Sequence, residues 1–265
     1  MKIASFIFAL LISFTSFSQQ TDFTVAAGVQ RTLTAAERTL SLKNLILGDD
    51  CTIIIPASMD GWTVTATDAT IGKNVKIMGI GLNGNSGAAG YHGVNGVACG
   101  GATRGGNGNN GLPGTAGKNV SLTLRIRQIG SLIINVTGGN GGNGGNGGPG
   151  GNGGYATCTC NAGPGANGGN GGNGGAGSNG GNVTILYSAI GSTSVSNSNF
   201  IIQNTGGRSG MGGFPGPGGA GGAGGGCNDP KALVRQPGAA GQPGIAGAST
   251  IQGANGVTVL QDTGK

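Results

Sequence analysis

The chain has 265 residues, of which 64 are glycine, whereas only 8% of the residues are charged and 4% are aromatic. This composition excludes an ordinary globular enzyme domain, and the periodic spacing of the glycines argues against a disordered chain. The formal net charge of +6 comes from scattered cations with no basic run, which argues against nucleic-acid binding.

The first 18 residues have the composition of a secretory signal peptide. Lys2 precedes an apolar run over 3–14, and the small residues Ser16 and Ser18 follow it. The apolar run is about 12 residues long, whereas a membrane-spanning helix needs ~20. We therefore predict cleavage after Ser18, no membrane span, and a mature protein that is secreted to the extracellular space or the cell surface.

An N-terminal scaffold of β-strands is predicted for residues 19–80, and strands of the same kind recur later in the chain. The clearest example is 121–127, where Leu122, Leu124 and Ile126 alternate with polar residues, which is the period of a half-buried strand. The strands predicted in this way span 40–47, 51–56, 62–67, 74–80, 121–127, 132–136, 183–190, 199–204 and 257–260.

Between the strands of the second part, 81–256, glycine recurs at nearly every third position in three runs, 81–117, 138–180 and 207–256. Each run is interrupted near its middle, which predicts a hairpin of two arms. A glycine in every third position is typical of a polyglycine II helix, which rises ~3.1 Å per residue, so each arm would be roughly 40 to 60 Å long. Only nine prolines are present, which argues against a collagen triple helix. The six arms span 81–96, 105–117, 138–153, 165–180, 207–225 and 238–256, and are numbered arm 1 to arm 6.

The strand starts repeat as well. Gly72, Gly117 and Gly180 each begin a Gly-x-Asn-Val pattern, so the order strand, strand, glycine excursion recurs along the chain. We predict a small β-solenoid with two strands per turn, with a β-sandwich as the alternative. The three hairpins would pack as a six-arm polyglycine II bundle, and 257–265 would form a C-terminal strand and tail. The Gly-Gly-Asn arms of the middle run would lie inside, with the first run and arm 6 outside.

Four of the five cysteines lie at the apices of the three hairpins. In an oxidising compartment we expect Cys99 to pair with either Cys158 or Cys160, and Cys227 to pair with the other, which leaves Cys51 free or buried. A metal or redox motif at Cys158-Thr-Cys160 is the alternative, but no histidine lies near it in the sequence.

Ionisable groups suited to catalysis are scarce. No aspartate or glutamate occurs between Asp68 and Asp229, and the only histidine, His92, lies at a side-chain-bearing position of arm 1. We therefore predict no catalytic residue, no cofactor and no metal site.

The apices instead carry cations and an aromatic residue. Arg104, Tyr155, Lys231 and Arg235 are the candidate binding residues, and an anionic polysaccharide or a cell surface is the candidate partner. The competing interpretation is that apical loops simply tolerate polar residues.

The interrupted Gly-x-y runs with cysteines at their apices resemble the snow-flea-type glycine-rich antifreeze proteins, and are similar to the receptor-binding adhesins of phage tail fibres. The resemblance implies a parallel-packed polyglycine II bundle, and either a flat face that binds ice or apical loops that bind a cell surface. We predict a secreted, non-catalytic structural or adhesive protein of the cell surface or matrix, with ice binding as the alternative. Copies could assemble through an open solenoid end or through Cys51.

The ice-binding alternative requires a regular array of small, weakly polar side chains. Thr63, Thr65 and Thr67 resemble one rung of a threonine ladder, but Lys76 and Arg125 stand in other strands. We therefore expect the ladder not to extend.

Overall fold

The computed structural model describes residues 22–225 and 234–264. The predicted signal peptide, Cys227 and Lys231 lie outside these residues. The described chain contains eleven strands and two three-residue 3-10 turns, Ala35–Glu37 and Asn197–Asn199. The prediction of an all-β fold is therefore confirmed.

The strands form two sheets in which every pair is parallel. In chain order they are β1 (Asp22–Val25), β2 (Gln30–Thr32), β3 (Thr39–Leu47), β4 (Thr52–Ile54), β5 (Gly61–Ile71), β6 (Val75–Met78), β7 (Asn119–Ile129), β8 (Leu132–Asn135), β9 (Val183–Ala189), β10 (Phe200–Gln203) and β11 (Thr258–Asp262). The six-stranded sheet has the order β1-β3-β5-β7-β9-β11, and the five-stranded sheet has the order β10-β8-β6-β4-β2. The chain thus alternates between the two sheets, one strand at a time.

The hydrophobic core lies between the sheets because successive residues of a strand point to opposite faces. In β7, for example, Val120, Leu122 and Leu124 are buried, and the residues between them are partly or fully exposed. Trp62 and Phe23 are the largest fully buried side chains, with ring centroids 5.9 Å apart. The two-residue period of the sequence therefore reflects side chains that point alternately into the core and toward solvent along each strand.

Two differences from the predicted strands have local causes. The sequence analysis missed β1 and β2, which are only four and three residues long. It also ended β5 at 67, whereas the strand continues to Ile71, because a register shift between Ala66 and Ala69 accommodates Asp68 without ending the pairing with β7.

The glycine arms contain no strands, but backbone hydrogen bonds join them at intervals of three residues. Arms 1, 3 and 5 form one row, as in the bond from the Gly84 N–H to the Asn140 carbonyl (2.8 Å). Arms 2, 4 and 6 form a second row, as in the bond from the Gly108 N–H to the Asn170 carbonyl (2.8 Å). Further bonds cross between the rows, such as Gly145 N–H to Asn109 carbonyl (2.8 Å). The six arms are therefore two stacked layers of three.

The middle-run arms occupy the inner positions of these layers. Arm 3 is hydrogen-bonded to arms 1, 2, 4 and 5, and arm 4 to arms 2, 3, 5 and 6. A Cβ at Gly144 would fall on the Gly172 carbonyl, and a Cβ at Gly145 on the Ala88 carbonyl, closer than real side chains come. Only a sequence with two glycines in every three residues can be approached in this way from two sides.

Arg31 and Glu37 form an ion pair near the N-terminal end of the described chain. Burial would raise the pKa of Glu37, but hydrogen bonds from the Thr34 N–H (2.8 Å) and hydroxyl (2.9 Å) and the charge of Arg31 outweigh it, so the pKa of this carboxyl lies below its ordinary value. The Arg31 guanidinium also lies 4.2 Å from the centre of the Phe23 ring.

This arrangement predicts an acid-sensitive contribution to stability. A carboxyl whose pKa is lowered by folding stabilises the fold above its ordinary pKa of 4.5, and this contribution is lost as the pH falls through the folded value. We expect Glu37→Gln to lower the free energy of unfolding by about 1–2 kcal/mol at pH 7 and to have little effect at pH 2. Urea denaturation at the two pH values measures this, and an equal loss at both would contradict it.

Candidate binding faces and hairpin apices

A disulfide joins the first two apices. Cys99 is bonded to Cys160, with their Cα atoms 5.9 Å apart, and Thr157 and Cys160 close the middle apex by a short antiparallel bridge. Cys158 is disulfide-bonded as well. Its pairing with Cys227 stays a prediction, because Cys227 lies outside the described residues.

Cys51 lies in the core instead of at a surface. Its thiol is free and buried, and this burial raises its pKa. In the folded chain Cys51 therefore has no accessible thiolate that could join two copies through a disulfide.

The candidate apical residues do not form one cluster. The Arg104 guanidinium lies on the layer of arms 2, 4 and 6, where it donates to the Asn170 side-chain oxygen (3.2 Å). Tyr155 is 63% exposed and continues the outward series of arm 3, in the other layer. The structure therefore places these two residues on opposite faces of the molecule.

Arg235 has a structural partner. Its guanidinium donates to the Cys158 carbonyl (2.7 Å), and its Nε is buried with no hydrogen-bond partner in the described part of the chain. Its backbone forms a bridge with Gly225 at the start of the third apex. Arg235 therefore ties the third apex to the second instead of presenting a free cation. Lys231 lies outside the described residues.

Asparagines cover the outward side of both layers. The side-chain oxygen of Asn143 in arm 3 accepts the Met211 N–H (3.0 Å), and that of Asn170 in arm 4 accepts the Ile245 N–H (3.0 Å). These bonds fix the amide orientation with the oxygen toward the protein. The amide N–H groups are left to face solvent.

The layer of arms 2, 4 and 6 continues directly into the six-stranded sheet. Arms 2, 4 and 6 are followed by β7, β9 and β11, and the outward residues of arms and sheet form one surface. We call this surface the uncharged face. On the sheet it includes Thr39, Ser41, Thr63, Thr65, Ser121, Thr123, Thr184 and Leu186, and on the arms Asn107, Asn110, Ala116, Asn167, Asn170, Asn173, Asn179, Ile245, Ala248, Ile251 and Ala254. The cations of this layer border the uncharged face at its two ends, Lys43 and Arg125 beyond the hydroxyl rows and Arg104 at the apices.

The strand register aligns the hydroxyl residues of the uncharged face in two rows. Thr39, Thr63, Ser121 and Thr184 are direct neighbours across four strands. Ser41, Thr65 and Thr123 form the second row. The rows are separated by about 6.6 Å along the strands, and neighbours within a row by about 4.8 Å.

The expectation that the threonine ladder does not extend is therefore wrong for Thr63 and Thr65. Lys76 lies in β6, which belongs to the other sheet, and so cannot interrupt the ladder. Arg125 stands beyond the two hydroxyl rows, as does Arg127, whose guanidinium hydrogen-bonds to Asp68 and lowers the pKa of that carboxyl. Aligning the Gly-x-Asn-Val starts at Gly117 and Gly180 places Ser121 and Thr184 at the same position, but the start at Gly72 places Lys76 there as well, although it leads into the other sheet.

The opposite layer has a different surface, which we call the asparagine face. It includes the outward residues of arms 1, 3 and 5, which are Asn83, Ser86, Ala89, His92, Asn95, Asn140, Asn143, Asn146, Pro149, Asn152, Arg208, Met211, Phe214, Pro217 and Ala220. Met211 is 63% exposed and Phe214 is 69% exposed. The large exposed side chains Met211 and Phe214 of arm 5 therefore lie on the face opposite the hydroxyl rows.

Within the described chain, no three His, Cys, Asp or Glu side chains lie together in a way that could hold a metal ion. In the same residues, no helix has the length and apolar character needed to cross a bilayer. No protein-family model matches the sequence, and no curated protein is significantly similar to it. The two faces and the hairpin apices are therefore the candidate binding surfaces.

Proposed function

We propose that this is a secreted, non-catalytic protein that binds ice through the uncharged face. In this proposal the two sheets are the coils of a small β-solenoid, and the six arms are a polyglycine II bundle that extends one side of it. The alternation of strands between two parallel sheets supports the first part. The three-residue spacing of the interarm hydrogen bonds supports the second.

The observation that carries the proposal is the pair of hydroxyl rows that continue into the asparagines of arms 2 and 4. Ice presents water molecules in a fixed lattice, so a complementary surface needs regular, rigidly held groups that give up their hydration easily. Threonine and serine hydroxyls meet this need better than charged side chains, because removing water from a charge costs far more free energy. The arms supply rigidity, since each inner arm is fixed by backbone hydrogen bonds to four neighbours.

Adhesion through the apices is the second candidate function. Its support is the exposure of Tyr155 beside apices that a disulfide holds together. The separation of Tyr155 from Arg104 and the bond of Arg235 to Cys158 weaken it.

Lysine substitution on the two sheets tests the ice-binding proposal. We expect the mature protein to inhibit ice recrystallisation, and Thr65→Lys to weaken this about tenfold, because a hydrated charge would stand within the hydroxyl rows. Thr32→Lys is the matched control, since Thr32 is also an exposed strand threonine but lies in β2 of the other sheet. Equal activity of the two variants, or an inactive wild type, would contradict the proposal.

The apical candidate is tested on the same preparations. Tyr155, Lys231 and Arg235 are replaced together with alanine or serine, and attachment to cells is measured beside ice recrystallisation. Arg104 is left unchanged in this variant because it contacts Asn170 of the uncharged face. Ice binding predicts that the combined variant retains the wild-type effect on ice. Loss of cell attachment in this variant, with a wild type that does not affect ice, would establish adhesion in its place.

A further inference from the structure

Arm 3 presents a row of amide hydrogen-bond donors on the asparagine face. The side-chain oxygens of Asn140, Asn143 and Asn146 accept the N–H groups of Arg208 (2.8 Å), Met211 (3.0 Å) and Phe214 (3.0 Å). These bonds turn the oxygen of each side chain toward arm 5 and leave its amide N–H groups free to donate to a ligand. All seven aspartates and glutamates among the described residues lie outside the arms. A ligand rich in acceptor oxygens, including negatively charged ones, would therefore meet no repulsion here.

A line of three larger side chains borders this row of donors. Arg208, Met211 and Phe214 follow one another at every third position of arm 5, about 9.3 Å apart along the arm. The same backbone bonds hold each of them beside one asparagine of arm 3. Met211 and Phe214 are large apolar side chains exposed to solvent, and an exposed aromatic ring can pack on the apolar face of a ligand.

From this geometry we propose that the asparagine face binds an acidic polysaccharide whose chain lies along arm 3. The amides of Asn143 and Asn146 would donate to sugar hydroxyl and ring oxygens. The Phe214 ring would pack on the C–H face of a sugar, and Arg208 would pair with a carboxylate. The inference is independent of ice binding, because it concerns the opposite layer of arms. A protein with both faces would attach ice to an acidic extracellular matrix.

Alginate, a polyuronate, and dextran, a neutral glucan, are the two probes, used with the full mature chain. We expect alginate binding, measured by calorimetry at low salt, to weaken about tenfold in Phe214→Ala through loss of ring packing. Arg208→Gln should weaken it and reduce its salt dependence, because exposed ion pairs are screened. Dextran should bind much more weakly than alginate.

Ile245→Ala is the matched control. Ile245 is 72% exposed and its N–H is bonded to an asparagine of the neighbouring arm, as that of Phe214 is, but it lies on the uncharged face. It should leave alginate binding unchanged, and both variants should melt like the wild type. Absence of alginate binding, equal losses in Phe214→Ala and Ile245→Ala, or dextran binding as tight as alginate binding would overturn the proposal. Phe214→Ala should inhibit ice recrystallisation as strongly as the wild type does. The two proposed functions can therefore be refuted separately.

Discussion

Replacing Gly144 with valine is expected to destabilise the protein by about 3 kcal/mol or more. The added Cβ would fall on the carbonyl oxygen of Gly172 in arm 4. That carbonyl already accepts the Gly213 N–H (2.8 Å), and the Gly172 N–H donates to Gly145 (2.8 Å). Arm 4 therefore cannot move aside without breaking its bonds to arms 3 and 5, and overpacking against a fixed backbone is costly. Gly171→Val should behave alike, because its Cβ would fall on the Gly213 carbonyl.

Two controls separate this steric effect from other consequences of substitution. Gly225→Val adds the same side chain where no atom lies within 4 Å of the new Cβ, so it should cost little. Asn143→Ala removes the hydrogen bond to the Met211 N–H at the surface and should cost about 1 kcal/mol. Thermal and urea denaturation of the variants give these values. Small, equal losses in all of them would mean that the glycine runs are flexible linkers and not packed arms.

The strands and the grouping of the arms could be predicted because each depends on a local period. Leu122, Leu124 and Ile126 show the period of two directly, and the glycines show the period of three. The Gly-Gly-Asn composition also indicated which arms lie inside, since a neighbour can approach only where a Cβ is absent. β2 was missed because its residues Gln30, Arg31 and Thr32 are all polar, and β1 because Phe23 and Val25 are its only apolar residues.

The faces could not be read from the sequence in the same way. Whether Tyr155 and Arg104 lie close together depends on which layer each arm joins, and this is decided by hydrogen bonds between residues more than 50 positions apart. The hydroxyl rows likewise depend on which strands share a sheet. Lys76 was taken to interrupt the threonine ladder, although β6 lies in the five-stranded sheet. Thr39 was not recognised as part of the ladder, although β3 pairs with β5.

Removing the disulfide between the first two apices is expected to cost about 2–4 kcal/mol. The bond closes a loop with a sequence separation of 61 residues, so it restricts the unfolded chain considerably. It also acts where the fold has little else, because glycine loses more conformational freedom on folding than other residues and buries no side chain. The sheets hold the arms at one end only. Without a bond at the other end, the arms should separate from the apices inward.

The double variant Cys99→Ser/Cys160→Ser tests this without leaving an unpaired apical thiol. Besides the lower free energy of unfolding, we expect hydrogen exchange in the variant to accelerate more at apical amides than at amides near the sheets such as Gly139. Gly154, whose N–H is bonded to the Gly100 carbonyl (2.9 Å), is one such apical amide. Cys51→Ala, which removes the buried free thiol, serves as the cysteine control and should leave the apical exchange unchanged. Peptide mapping of the unreduced wild type should recover Cys99 joined to Cys160. A Cys158–Cys160 peptide, or exchange that rises equally along the arms, would show that the apices are not clamped in this way.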